Sequence, residues 1–151
     1  NDAGVLIYSL LPERFRLRNP KISTIGRLDA DTTGAILLTD DGSLNHKFAN
    51  TNKKIPKIYE ATLADDLNGD EIEIFASGKL MLKNDEKPLE QAKLEIVGPK
   101  IARLEITEGR YHQVKRMFAA VGNKVVKLHR ISFAGFSVSH LANGKFQFID
   151  I

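Results

Sequence analysis

The spacing of hydrophobic positions predicts a chain that mixes short strands with a few helices. The clearest helix is predicted over residues 111–121, where Val114, Met117, Phe118 and Val121 follow the i, i+3, i+4, i+7 spacing of one buried face. A Gly-Asn pair directly after this segment is typical of a helix end. Apolar residues three or four positions apart predict two shorter helices, over 43–50, with Ser43 as its cap, and over 68–77.

Runs of β-branched and other apolar residues predict the strands. These runs cover residues 22–28, 35–39, 58–63, 94–97, 101–106 and 124–130. Gly-Pro at 98–99 predicts a hairpin, and the alternation along 101–106 predicts a strand with one face in solvent. Residues 31–34 read as a turn, and the last residues, to 149, as a final hairpin. Residues 5–11 are compatible with a helix or a strand.

Irregular alternation of strands and helices, with hairpin-like links, favours an α+β fold over a doubly wound one. We expect a mixed, mainly antiparallel central sheet with flanking helices. A chain of 151 residues with 42% apolar and 27% charged residues is sufficient for one domain with a buried core. It contains no apolar run close to the ~20 residues of a membrane span. Because the chain has no cysteine, disulfides and thiolate metal sites are excluded.

The charge is unevenly distributed, although the net charge is only +3. Residues 110–130 contain six lysines and arginines and no acid, whereas five acids crowd residues 65–73. Solvated surface would explain either run alone. The separation of the two signs favours a basic face directed toward a polyanion, either RNA or DNA.

A candidate reactive group lies at residues 26–34, which read Gly-Arg-Leu-Asp-Ala-Asp-Thr-Thr-Gly. Asp29 follows an apolar residue, stands two positions from Arg27, and lies between glycines that allow sharp turns. Such an acid is a candidate nucleophile or base. Residues 108–118 read Glu-Gly-Arg-Tyr-His-Gln-Val-Lys-Arg-Met-Phe and offer cations that would keep it ionised.

Two metal-dependent alternatives use the same acids. An EF-hand loop would take its positions 1, 3, 5, 6 and 12 from Asp29, Asp31, Thr33, Gly34 and Asp40. The last of these is shorter than the usual glutamate, and the flanks read as strands. Asp-x-Asp-x-Thr also occurs in aspartate phosphatases of the haloacid dehalogenase type, but a Gly-Arg pair interrupts the apolar strand that should precede it. A simpler explanation of Asp31 and Thr32 is that they cap a turn.

Three motifs in order resemble those of the pseudouridine synthases of the RsuA and RluA group, and of the RsuA type in particular. The first is Gly-Arg-Leu-Asp-x-x-Thr-x-Gly, followed by Thr-Asp-Asp-Gly at 39–42. The second is Lys-Ile-Tyr-Glu-Ala at 57–61. The third is the segment 108–118, which continues to residue 123 and is followed by Leu-His-Arg at 128–130. The resemblance covers most of the chain and implies the fold of that family.

The resemblance also implies roles for individual residues. Asp29 would be the catalytic carboxylate, and Tyr59 would stack on the target uracil and help to remove its C5 proton. Lys115 would pair with Asp29, with Arg116 as the alternative cation, and Leu128 would floor the uracil pocket. The group expected to bind substrate or RNA is Arg27, Arg110, His112, Gln113, Arg116, Leu128 and Arg130. The family uses neither a metal nor an organic cofactor.

The expected reaction is therefore isomerisation of one uridine to pseudouridine in 16S ribosomal RNA, by a cytoplasmic monomer acting on a partly assembled small subunit. Attack at C1′ and removal of the C2′ proton both remain open as routes. A non-catalytic rRNA-binding module with the same basic face is the alternative. Members of this type begin with an S4-like RNA-binding domain and a Lys-Pro-x-Gly motif. Since neither appears in these 151 residues, we expect a catalytic domain without its leading part.

Overall fold

The computed structural model describes residues 7–49 and 54–150, which form an α+β fold. In chain order the elements are a 3₁₀ helix at Ile7–Leu10, α1 at Glu13–Arg16, β1 at Ser23–Ile25, β2 at Thr32–Gly34, β3 at Leu37–Thr39, α2 at Gly42–Ala49, β4 at Lys57–Leu63, α3 at Glu71–Ala76, β5 at Lys93–Gly98, β6 at Ile101–Ile106, α4 at Gln113–Ala120, β7 at Val125–Phe133 and β8 at Phe136–Ser137. The predicted fold class is confirmed. None of the helices in these two ranges is long and apolar enough to span a bilayer.

The main sheet has the strand order β2-β7-β4-β6-β5, with β8 added at the end of β7. Its pairs are antiparallel except for β2 and β7, which run parallel. The predicted hairpin is confirmed as β5 and β6, with Leu94 opposite Leu104. Strands β1 and β3 form a separate antiparallel pair. The sheet is therefore mixed and mainly antiparallel, as the sequence predicts.

The main core lies between this sheet and the helices α3 and α4. Alternate positions of β6 are buried, at Ala102, Leu104 and Ile106, which confirms the predicted single wet face. The predicted buried face of α4 packs here through Met117 and Phe118. The rings of Phe75 in α3 and Phe118 lie edge to face with centroids 5.3 Å apart. This core fixes α4 on the sheet beside β7.

A smaller core joins the β1–β3 pair to the far end of β7. Ile25, Ala35, Leu37 and Phe133 are buried in it, and the ring of Phe48 from α2 lies 6.1 Å from that of Phe133. The predicted cap of α2 is wrong: Asp41 accepts hydrogen bonds from the backbone N–H and the hydroxyl of Ser43 at 2.9 and 2.6 Å. The predicted end of α2 at Asn50 lies outside the described residues.

The turn predicted for residues 31–34 is wrong, because Thr32–Gly34 is strand β2. Its local composition favours a turn, but pairing with the distant strand β7 prevails, with Thr32 opposite Leu128 and Gly34 opposite Arg130. The two backbones approach so closely that a Cβ atom at Gly34 would lie 2.0 Å from the Arg130 carbonyl oxygen. Gly34 also has φ +117°, which favours glycine. This contact anchors the acidic segment before β2 at the edge of the sheet.

Both ends of the chain also depart from the sequence prediction. No strand forms at residues 146–149 of the described chain; β8 pairs with β7 instead. Phe146 and Phe148 pack on Phe15, with ring centroids 5.8 and 5.9 Å from it. Their alternation therefore reflects an aromatic cluster rather than sheet pairing. At the other end, residues 7–10 form the 3₁₀ helix, and residues 5 and 6 lie outside the described residues.

Candidate active site

Asp29 lies in the tight turn that leads into β2. Its carbonyl oxygen accepts a hydrogen bond of 2.9 Å from the N–H of Thr32, the first residue of that strand. The side chain is 34% exposed, so it is partly covered yet open to a ligand. Because β2 is fixed on β7, this turn faces the beginning of α4, which packs against the same sheet.

Two side chains from the beginning of α4 reach the Asp29 carboxylate. Lys115 Nζ lies 3.6 Å from one carboxylate oxygen, and His112 Nε2 lies 3.5 Å from the other. The sequence left open whether Lys115 or Arg116 pairs with Asp29, and the geometry favours Lys115. Successive helical residues point about 100° apart, and Arg116 is directed to Asp85, with Nη2 2.6 Å from a carboxylate oxygen.

Asp31 is a second acid in this site; the sequence offered it as a turn residue or as part of the two metal-dependent alternatives, and not as a partner of Lys115. Lys115 Nζ lies 2.8 and 3.1 Å from its two carboxylate oxygens, closer than to Asp29. The hydrogen bond from Lys115 holds the pKa of Asp31 below its usual value, and the same hydrogen bond raises the pKa of Lys115. The spacing of two residues between the acids was the available signal. We call Asp29, Asp31, His112 and Lys115 the Asp29 cluster.

His112 is held in an unusual backbone conformation directly before α4. Its φ of 46° and ψ of 39° are left-handed, which costs roughly 1–2 kcal/mol for a residue other than glycine. Its carbonyl oxygen accepts a hydrogen bond from the N–H of Arg116 at 3.0 Å. The ring of Tyr111 stacks on the imidazole at 3.9 Å, with an angle of 17° between the planes. This conformation directs His112 toward Asp29.

A second charged cluster fixes the segment that carries His112. Asp85 contacts Arg116 at 2.6 Å and Arg110 at 3.1 Å, and Arg110 also contacts Glu108 at 2.9 Å. The hydrogen bond from Arg116 is the main reason that the pKa of Asp85 lies below its usual value. Gln113 is buried; its side-chain oxygen accepts a hydrogen bond from the N–H of Arg110, and its Nε2 donates one to Glu108. We call Asp85, Glu108, Arg110, Gln113 and Arg116 the Asp85 cluster.

Several side chains expected to bind RNA thus have partners within the protein. Both arginines of the Asp85 cluster also donate to backbone carbonyls, Arg116 to those of Tyr111 and Lys83, each at 3.0 Å. Arg130 is buried, donates from Nε to the Ala35 carbonyl at 2.8 Å, and lies over the Phe133 ring. Arg27 is exposed. Contacts of these residues with RNA stay a prediction.

The strands behind Asp29 carry the other two expected site residues. Leu128 is buried in the main core, opposite Thr32 of β2 on one side and Ala61 of β4 on the other. Tyr59 is partly buried and packs on the same core, opposite Arg130. The order β2-β7-β4 therefore brings both residues to the part of the sheet that anchors Asp29. Their roles toward a nucleobase stay predictions.

Lys57 is a further cation at this end of β4 that sequence reasoning did not single out. It is partly buried, and Nζ donates to the Glu108 carbonyl at 3.0 Å. Burial lowers its pKa, and the nearby charge of Arg130 lowers it further. In residues 7–49 and 54–150, no three His, Cys, Asp or Glu side chains are grouped so that they could hold a metal ion.

Comparison with known proteins identifies the family of this chain. The model of the family described as RNA pseudouridylate synthase matches residues 4–120. The chain is 45% identical over 128 residues to ribosomal small subunit pseudouridine synthase A of Escherichia coli K12, covering 84% of this chain and 55% of that protein. For the Haemophilus influenzae protein of the same name, the identity is 49% over 110 residues, covering 73% and 47%.

A solved structure described as a pseudouridylate synthase superposes on this chain with a TM-score of 0.84 and 42% sequence identity. The match covers 92% of this chain and 59% of the chain in that structure. The chain spans about half the length of the curated relatives it matches. The family resemblance seen in the three motifs is confirmed: the chain belongs to the RNA pseudouridylate synthase family.

Proposed function

We propose that this chain isomerises a uridine of 16S ribosomal RNA to pseudouridine, with Asp29 as the reacting carboxylate. The observation that carries the proposal is the position of Asp29 between Lys115 and His112, at 3.6 and 3.5 Å, in a partly open site. Membership of the family supports the type of reaction. The names of the bacterial relatives support small-subunit RNA as the substrate.

The reaction requires an ionised acid at the sugar. The N1–C1′ bond breaks, the uracil turns, a C5–C1′ bond forms, the C5 proton leaves and N1 gains a proton. Asp29 would either attack C1′ or remove the C2′ proton, and both routes need a carboxylate without a proton. A bound nucleotide would exclude water from this partly exposed acid and would disfavour its charge, whereas a nearby cation favours it. We propose that Lys115 supplies that cation.

We propose that Tyr59 and Leu128 receive the target base. Taking the uracil out of its stack costs a few kcal/mol, and stacking on an aromatic side chain returns ~1–3 kcal/mol. Tyr59 packs on the same core as the buried Leu128, which suits an aromatic wall beside an apolar floor. Arg27, exposed before Asp29, and the exposed Lys124 and Lys127 of the acid-free segment 110–130 would attract the RNA backbone.

The test is product formation by the chain on 16S RNA labelled with tritium at C5 of uridine, as free transcript and loaded with small-subunit proteins. We expect tritium release together with pseudouridine in the digested RNA. Asp29→Asn should abolish both while filter binding of the RNA persists. Binding by both proteins with release by neither would instead support a non-catalytic rRNA-binding module. Magnesium-dependent release of phosphate would support the phosphatase alternative.

Salt dependence tests the basic face separately. If RNA binds through phosphate contacts, log affinity should fall with log salt by about 0.7 per contact on single strands. An affinity that does not change with salt would contradict this part of the proposal. The partly assembled substrate, the monomeric state and the cytoplasmic location stay predictions.

A further inference from the structure

Tyr111 is the exposed aromatic residue next to the Asp29 cluster. Tyr111 is 77% exposed although it lies two residues before α4, whose inner face is buried. One side of the ring is stacked on His112, and Nε2 of that imidazole is 3.5 Å from Asp29. A large aromatic ring is thus kept in solvent one residue away from a group that contacts the proposed reacting acid.

The backbone that carries this ring is held by the protein, and the ring itself stacks on His112. The Tyr111 carbonyl oxygen accepts a hydrogen bond from Arg116 Nη1 at 3.0 Å, and Arg116 is itself held by Asp85. The next residue, His112, is kept in a left-handed conformation. Burial does not explain this arrangement, because the ring contributes little to the core. Rigid presentation of a flat surface to a ligand explains it, since less freedom is then lost on binding.

Space for a ligand exists beside the ring. Tyr111 lines an open depression of about 520 Å³, together with the arginines of the Asp85 cluster and residues 84–87. Because the depression is open to solvent, it would hold a base against the ring rather than enclose a ligand. The walls carry both signs of charge, from Asp85 and Glu86 and from Lys87, Arg110 and Arg116. A phosphate is not favoured by such walls, whereas a neutral, flat nucleobase is compatible with them.

We propose that Tyr111 is a stacking platform for an unpaired base of the RNA that neighbours the target uridine. The inference rests on the proposed function, because a uridine at Asp29 places its neighbouring nucleotides within reach of Tyr111. Every base has a π-face, so the platform strengthens binding with little preference for sequence. The stack of Tyr111 on His112 then continues into the RNA, and the bound nucleotide holds the imidazole in place beside Asp29.

The test combines variants of the chain with altered RNA. After the modified uridine has been located in the wild-type reaction, short RNAs are made with an abasic site at each of the two positions on either side. On intact RNA, Tyr111→Ala should lower kcat/KM by about five- to 150-fold, the range for loss of one base–aromatic stack. Tyr111→Phe keeps the ring and should stay within about twofold. The matched control is Phe148→Ala, which removes an equally exposed ring that contacts Phe15 and Phe146.

The abasic RNAs distinguish stacking from a structural role. At one neighbouring position, the abasic site should lower the wild-type kcat/KM by a similar factor, and Tyr111→Ala should then cost nothing more. An alanine effect that is equally large on all abasic RNAs would mean that Tyr111 only supports His112, and would overturn the proposal. So would an alanine variant within twofold of wild type on intact RNA. Absence of tritium release by the wild-type chain would instead contradict the proposed function and the inference with it.

Discussion

The Asp29 cluster and the Asp85 cluster take cations from the same eleven residues of the chain, yet they are built differently. Asp85 lies 3.1 Å from Arg110 and 2.6 Å from Arg116, and its side chain is 20% exposed. Both arginines also donate hydrogen bonds to backbone carbonyls. Asp29 is 34% exposed and its contacts are 3.5 and 3.6 Å long. In the Asp85 cluster the hydrogen bonds are short and the arginines have further partners in the protein, whereas the Asp29 cluster leaves its acid available to a ligand. We infer that the Asp85 cluster maintains the geometry of the Asp29 cluster, the proposed reacting site.

The largest expected effect separates the neighbours Lys115 and Arg116. Lys115→Met removes the cation nearest to Asp29 and should lower kcat by ~10²-fold, as loss of one charge-stabilising group commonly does. Arg116→Met should lower kcat by less than about tenfold at temperatures where the chain is folded, since Arg116 acts through the position of His112. Single-turnover tritium release measures both. A greater kinetic loss in the arginine variant would contradict this division.

Stability should show the opposite order. Arg116→Met removes hydrogen bonds to two carbonyls as well as the contact with Asp85, and should lower the free energy of unfolding by about 1–3 kcal/mol. Lys115→Met breaks more exposed ion pairs and should change it by less than about 1 kcal/mol. Urea unfolding followed by circular dichroism gives both values. Equal losses of unfolding free energy in the two variants would contradict the view that the Asp85 cluster contributes more to stability than the Asp29 cluster.

A smaller effect is expected from Asp31, which shares Lys115 with Asp29. Because the side chain of Asp31 is 73% exposed, Asp31→Asn should lower kcat by no more than about fivefold. Its hydrogen bond raises the pKa of Lys115, so the variant should have a lower lysine pKa, measurable by NMR titration of the labelled ammonium group. Asp41→Asn, in the cap of α2, is the control. A lysine pKa that does not change would mean that Asp31 is not its main partner in solution.

The smallest effect concerns pH. The folded-state pKa of Asp85 is below its ordinary value of 3.8, mainly because Arg116 donates to it. The contact therefore contributes full stability above that ordinary value, and the contribution is lost as the pH falls through the lower folded value. Between pH 6 and pH 3, urea midpoints of Asp85→Asn should decline less than those of the wild type. Parallel declines would contradict the assignment.

Local periodicity predicted the parts of the fold that depend on local contacts. The spacing from Val114 to Phe118 identified α4, and Gly-Pro at 98–99 identified the β5–β6 hairpin. Strand β2 could not be predicted, because Thr32–Gly34 has turn-like composition and pairs with a strand far along the chain. In the same way, the alternation at Phe146 and Phe148 reflects packing on Phe15 rather than strand pairing.

The candidate site was predictable to a similar degree. Through the family resemblance the motifs implied that Lys115 pairs with Asp29, but they left Arg116 as an alternative, since adjacent helical residues differ only in direction. Asp85 lies in a loop without periodicity, so nothing local indicated that it binds both arginines. The pairing of Asp31 with Lys115 was not predicted, because the two residues are 84 positions apart in the sequence.

The most direct test of the account is single-turnover tritium release by the wild type and by Asp29→Asn on the same C5-labelled 16S RNA, with RNA affinity and unfolding midpoint measured in parallel. We predict that the asparagine variant folds and binds RNA as the wild type does, while its release falls by at least ~10⁴-fold, as expected for loss of a reacting group. Release by the variant within tenfold of the wild-type rate would contradict the assignment of Asp29.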